Sequence, residues 1–285
     1  MPIVELLGDR ALQSALLSTL TIVYARVGEY AQAVAVGQTG LRIALEIDSA
    51  EDIVRGYINA SQAIDNAGRV EEALELGIEG ISVADRLGMS RGTGDQLRQQ
   101  AAWRLQRIGR LEEAQRMLRP ALENATAPFN IAASHALAGR LAVERGELDL
   151  AQLLLDRAWP LMQRSGGFQL IGLALAALVL LELRRGELTR ARERIRDGLD
   201  LVSAEPASIY NAEMYWLAVR VEAELAERAR PARDQAGLSR CEQTALSALE
   251  TLDVGSVFAS PVALGSGTVK TAHGLLPVPG SQLLG

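Results

Sequence analysis

Apolar residues return every three or four positions along almost all of the first 250 residues. Stretches such as IVRGYINASQAIDNA and VEEALELGIEGISVADRLG gather them on one helical face. The helical runs meet at a recurring corner, Gly-x-x-x-x-Ala. Its copies are Gly28 to Ala33, Gly68 to Ala73, Gly109 to Ala114, Gly146 to Ala151 and Gly186 to Ala191. Successive glycines stand 40, 41, 37 and 40 residues apart. A period of this length marks a helical repeat array, because one hairpin cannot bury its apolar face alone and must stack on its neighbours. The pattern predicts hairpins over 10–47, 50–87, 92–125, 128–165 and 167–203. A sixth pair, 207–229 and 235–252, lacks the glycine and is joined by RARPARDQAGL.

The corner has a local logic. Glycine at the end of the first helix can adopt the left-handed conformation that caps it without a Cβ clash. Glu71 and Glu72, Glu112 and Glu113, and Glu147 and Asp149 follow in the first turn of the second helix, where they oppose the helix dipole. The alanine five residues on is small enough for the paired helices to cross closely. Pro120 and Pro160 fall inside second helices and are expected to end or kink them.

Composition supports helices and narrows the chemistry. Hydrophobic residues make up 48% of the 285 and aromatics only 4%, with a net charge of −6. Arginines and acids are interspersed as on a solvated, ion-paired helix face, and no clustered basic patch points to direct nucleic-acid contact. Cys241 is the only cysteine, so neither an internal disulfide nor a thiolate zinc set can form. The start lacks the pattern of a signal peptide, and the longest apolar run, Leu170 to Leu181, is too short to span a bilayer. The expectation is a cytoplasmic chain without a membrane segment.

Single residues add little catalytic promise. His135 lies on a first helix with no evident nucleophile beside it. Trp103, Trp159 and Trp216 sit on apolar stripes and are expected to pack. The GSG at 265–267 follows no strand-to-helix context that would make it a phosphate loop.

The consecutive stretch YINASQAIDNAGRVEEALELGIEGISVADRLGMSRGTGDQLRQQAAWRLQRIGRLEEAQRML, with its "G-r-x-E-E-A" corner, resembles the tetratricopeptide-type array of LuxR/MalT-type ATP-dependent transcriptional regulators. The likeness covers about 10–240. It implies a sensor or interaction region, because no GxxxxGK[ST] tract and no compact basic helix-turn-helix accompany it.

After Asp253 the text changes. The last 32 residues hold one charge, Lys270, with six glycines and three prolines, and short β-like runs replace the helical period. ALETLDVGSVFASPVALGSGTVKTAHGLLPVP is similar to part of the LarC family, which inserts nickel into an organometallic nucleotide cofactor in a CTP-dependent reaction. The residues carrying the likeness are Ser260, Pro261, Gly265, Gly267, His273, Gly274, Pro277 and Pro279. After Pro279 the family's continuation is replaced by Gly280-Ser281-Gln282. The family's histidine- and glutamate-bearing tract and its nucleotide-handling domain have no counterpart here. Two resemblances meeting near residue 245 suggest a fusion or a junction of fragments.

The expected architecture is an all-α, right-handed superhelical solenoid of about six tetratricopeptide-like hairpins over 1–243, followed by a short irregular or β-like segment over 244–285. The expected function is non-catalytic: a scaffold holding a protein, peptide or regulatory ligand in a concave groove lined by first helices, with Asn59, Gln96 and Arg98 as groove candidates. No catalytic, cofactor or metal residue is assigned. The alternative is a member or remnant of the nickel-insertion family, which alone would call for nickel and CTP.

Overall fold

The computed structural model describes residues 8–165, 168–202, 211–231, 233–251, 268–271 and 274–277. Among them are twelve α-helices that pair as six hairpins: α1 (Arg10–Arg26) with α2 (Tyr30–Glu46), α3 (Ala50–Asn66) with α4 (Val70–Arg86), and α5 (Thr93–Arg107) with α6 (Leu111–Asn124). They continue as α7 (Pro128–Arg145) with α8 (Leu148–Ser165), α9 (Phe168–Arg185) with α10 (Leu188–Val202), and α11 (Ala212–Ala229) with α12 (Gln235–Thr251). Two short strands follow, β1 (Thr268–Thr271) and β2 (Gly274–Pro277), paired antiparallel with Thr268 opposite Pro277 and Thr271 opposite Gly274. The chain divides into two compact units, 1–134 and 135–285, with the division inside α7.

The corners explain the hairpins. Gly28, Gly68, Gly109, Gly146 and Gly186 all have positive φ, between 74° and 81°. At Gly68 the glycine N–H donates to the Asp65 carbonyl at 2.9 Å, and the next N–H, of Arg69, donates to the Ile64 carbonyl at 3.2 Å. This paired closure satisfies the last carbonyls of the first helix. A Cβ at Gly68 would meet nothing within 4 Å. Backbone conformation, and not space, therefore selects glycine there. The five corner alanines are each 0% exposed. The sixth hairpin turns without glycine because Arg233 adopts φ 53° and closes the same pair of bonds, from Arg233 N to Arg230 O and from Asp234 N to Ala229 O.

Neither internal proline ends its helix. Helix α6 continues past Pro120 to Asn124, and α8 past Pro160 to Ser165. Both prolines are exposed, so the carbonyl four residues earlier that loses its donor faces water. Asn124 Nδ2 also donates to the Pro120 carbonyl at 3.0 Å.

In the first unit α3 packs against α1, α2, α4 and α5, so a first helix is enclosed on most sides. Close approach is set by small residues: a Cβ on Gly80 of α4 would stand 2.7 Å from Tyr57 Cβ of α3, and one on Gly56 would stand 3.2 Å from Leu41 Cα. In the second unit a core of α9, α10 and α11 side chains includes Leu175, Val179, Ile195, Met214 and Leu217.

Candidate functional site

Every buried polar or charged side chain among the described residues belongs to a first helix or its N-terminal cap. In the first unit these include Ser18, Ser61, Asp65, Arg98, Gln99 and Arg104, and in the second His135, Glu182, Asn211 and Glu222. Second helices bury only apolar residues and glycines there and turn their polar faces outward. Enclosed polar groups need partners, and here those partners lie largely on the neighbouring first helix. Asn59 Nδ2 of α3 donates to Ser18 Oγ of α1 at 2.6 Å. Ser61 Oγ of α3 donates to Gln100 Oε1 of α5 at 3.4 Å. Gln99 Nε2 of α5 donates to the Asn130 carbonyl at 3.0 Å and to Ser134 Oγ at 2.9 Å, both on α7.

One stripe of each first helix escapes enclosure. Between Gly94 and Arg107 of α5 only Gln96, Gln100 and Arg107 are not buried. They lie 13, 9 and 2 residues before the corner glycine, and Trp103 fills the place 6 before it. The same places on α3 hold Arg55, Asn59, Asn66 and Gln62, all half-buried. Two adjacent helices thus carry five amide side chains on one face in matching register.

The end of the stripe is electrostatically distinct. Asp65 and Arg104 are both fully buried; Arg104 Nε reaches Asp65 Oδ2 at 3.1 Å, and Arg107 Nη1 reaches Asp65 Oδ1 at 2.7 Å. Two guanidiniums share one carboxylate, so the trio carries a net positive charge. Arg107 also lies over the Trp103 ring, 4.9 Å from its centre.

The residues singled out in the sequence are placed as follows. Asn59 and Gln96 lie on the stripe. Arg98 does not: it stands 11 residues before the corner glycine, on the inward side shared with Tyr57 and Leu17. It grips Asp85 with two bonds of 2.7 and 2.8 Å and the Ser90 carbonyl at 3.1 Å. Burial opposes ionisation of Asp85, but its hydrogen bonds from Arg98 and Ser90 hold it below the ordinary carboxylate value. Trp103 is buried, while Trp159 and Trp216 are partly buried against the second unit's core. His135 is 6% exposed within α7. Cys241 is buried with Sγ 3.3 Å from Arg192 Nη2, and burial, with Glu222 nearby, raises its thiol above the ordinary value. Such a thiol stays protonated and inert.

The amide stripe does not extend into the second unit. The matching places on α9 are Leu173, Ala177 and Leu180, ahead of Arg184. Polar groups there are spent on ion pairs: Arg140 with Glu213 and Glu144, Arg192 with Glu222, and Arg194 with Glu182. Ser260, Pro261, Gly265, Gly267, His273 and Pro279 lie outside the described residues, whereas Gly274 opens β2 and Pro277 closes it. Among the described residues no group of three or more His, Cys, Asp or Glu is placed to hold a metal ion, and no helix is long and apolar enough to cross a membrane.

Fold and corners define a helical-repeat protein of tetratricopeptide type. The chain is similar to the apo form of RapI, with a TM-score of 0.60 and 11% identity over 86% of this chain and 85% of that one. A Rap protein complexed with competence and sporulation factor gives 0.58 and 14%, over 85% and 76%. The Rap conjugation gene regulator of plasmid pLS20, in complex with the Phr* peptide, gives 0.60 and 11%, over 90% and 66%. At these identities the likeness is one of fold. The nickel insertion protein family matches residues 244–284, beginning inside α12. No curated protein matches the chain.

Proposed function

We propose that the protein is a non-catalytic scaffold that binds a peptide or extended protein segment along the α3–α5 stripe. The observation that carries the reading is the matched register of half-buried amides on two adjacent first helices. An amide offers a donor and an acceptor, the complement of a peptide group. Among the described residues Asn59 keeps Oδ1, and Gln100 keeps Nε2, without a protein partner. Packed helix axes stand about 8–10 Å apart, and an extended chain advances about 3.3 Å per residue. Asn59 and Gln100 would therefore meet peptide groups roughly three residues apart. The positive Asp65–Arg104–Arg107 trio favours an acidic group on the ligand at that end.

The fold neighbours complexed with competence and sporulation factor and with the Phr* peptide support a ligand of this class. The LuxR/MalT-type resemblance of residues 10–240 makes such a ligand regulatory and the site of action cytoplasmic. Selection from a random peptide library on the full chain, with counter-selection on an Asn59→Ala/Gln100→Ala variant, tests the proposal. It expects acid-bearing sequences that the variant does not retain. Failure to enrich any sequence, or equal retention by the variant, would contradict it.

A second reading rests on the family match over 244–284 alone: CTP-dependent nickel insertion. Calorimetric titration of the chain with Ni²⁺ and with CTP decides it, since tight binding of either favours that activity over the scaffold.

A further inference from the structure

Helix α1 leaves uncovered the face that later first helices bury. Leu16, Leu20 and Val23 stand 12, 8 and 5 residues before Gly28. The matching residues are Gly56, Ala60 and Ala63 on α3, and Leu97, Ala101 and Arg104 on α5, all buried. On α3 this face meets the preceding second helix, with Gly56 on Leu41 and Ala60 on Gly37. On α1, Leu12 is 41% exposed, Leu16 36%, Val23 47% and Val27 67%, with Leu20 half-buried between them.

The stripe is self-complementary. Leu16, Leu20, Val23 and Val27 follow steps of four, three and four, the spacing by which two helices make a continuous seam. Laid antiparallel on a second copy about a two-fold axis near Leu20, the stripe puts Leu16 opposite Val23 and Leu12 opposite Val27. The same arrangement brings Arg10 opposite Glu29, so opposite charges flank both ends of the seam.

We infer that α1 is a homodimerisation surface, pairing with the α1 of a second copy of this chain. One helix face is small beside a standard interface of about 1,600 Å², so the dimer is weak and forms with rising concentration.

Sedimentation equilibrium of the full chain across micromolar to submillimolar concentrations reads the association directly. The inference expects a monomer–dimer equilibrium that Leu16→Asp/Val23→Asp shifts fully to monomer, with an unchanged circular dichroism spectrum. In a Cys241→Ser background, Leu20→Cys should give a covalent dimer on mild oxidation, a readout that does not depend on the aspartate variant folding. A wild-type chain that stays monomeric throughout, as it would if the face accepted a different helical hairpin, overturns the inference. So does a dimer that survives the aspartate pair, or a Leu20→Cys variant that fails to cross-link.

Discussion

Asp65 accepts from two guanidiniums inside the first unit, and neither it nor Arg104 touches solvent. Removing one member of a buried charge network strands the others, which typically costs about 3–5 kcal/mol. Asp65→Ala should therefore lower urea-denaturation stability by that order, and a loss below about 1 kcal/mol would show that the guanidiniums find other acceptors. Asp85 makes a pH-dependent counterpart. Its pKa is depressed in the folded state, so the stability from its pairing with Arg98 is present above the unfolded value of about 3.9 and is lost as pH falls through the lower folded value. Thermal melts of wild type and Asp85→Asn should converge as pH drops through that window and separate above it. At the corners, Gly68→Ala forces Cβ into a left-handed residue and should cost about 1–2 kcal/mol, although no neighbour is touched.

At the scale of the helical hairpin, the corner is a paired device: a left-handed turn, then an alanine with no exposed surface five residues later. Ala73→Leu adds a branched side chain where the helices cross, and overpacking of this kind should cost about 1–3 kcal/mol, read as a shifted denaturation midpoint. This device was legible in the sequence because it needs two residue types at fixed spacing. The sixth corner was not, since Arg233 reaches the same conformation and carries no mark that separates it from other exposed arginines. The proline expectation failed for a related reason. A sequence shows the missing N–H but not whether the orphaned carbonyl faces water. Asn59 and Gln96 were recognisable as polar residues on first helices. Arg98 looked equivalent to them until its register placed it on the inward side, opposite Asp85. Gln62, Asn66 and Gln100 could have been found by aligning each first helix on its corner glycine and asking which polar places repeat.

At the scale of the whole molecule, the two units use their polar residues differently. The first leaves a stripe of amides with unspent hydrogen-bonding capacity, and the second consumes arginines and glutamates in ion pairs between helices. The segment related to nickel insertion proteins starts at residue 244, within α12, so the two sequence patterns join inside one helix. The most direct test of the scaffold account is the affinity of a library-selected, acid-bearing peptide for the full chain and for Asn59→Ala/Gln100→Ala, measured by calorimetry. Two hydrogen bonds at about 0.5–1.5 kcal/mol each predict a loss of roughly five- to a hundredfold with no change in melting temperature. An affinity that is the same in both proteins would contradict the assignment of the stripe as the binding site.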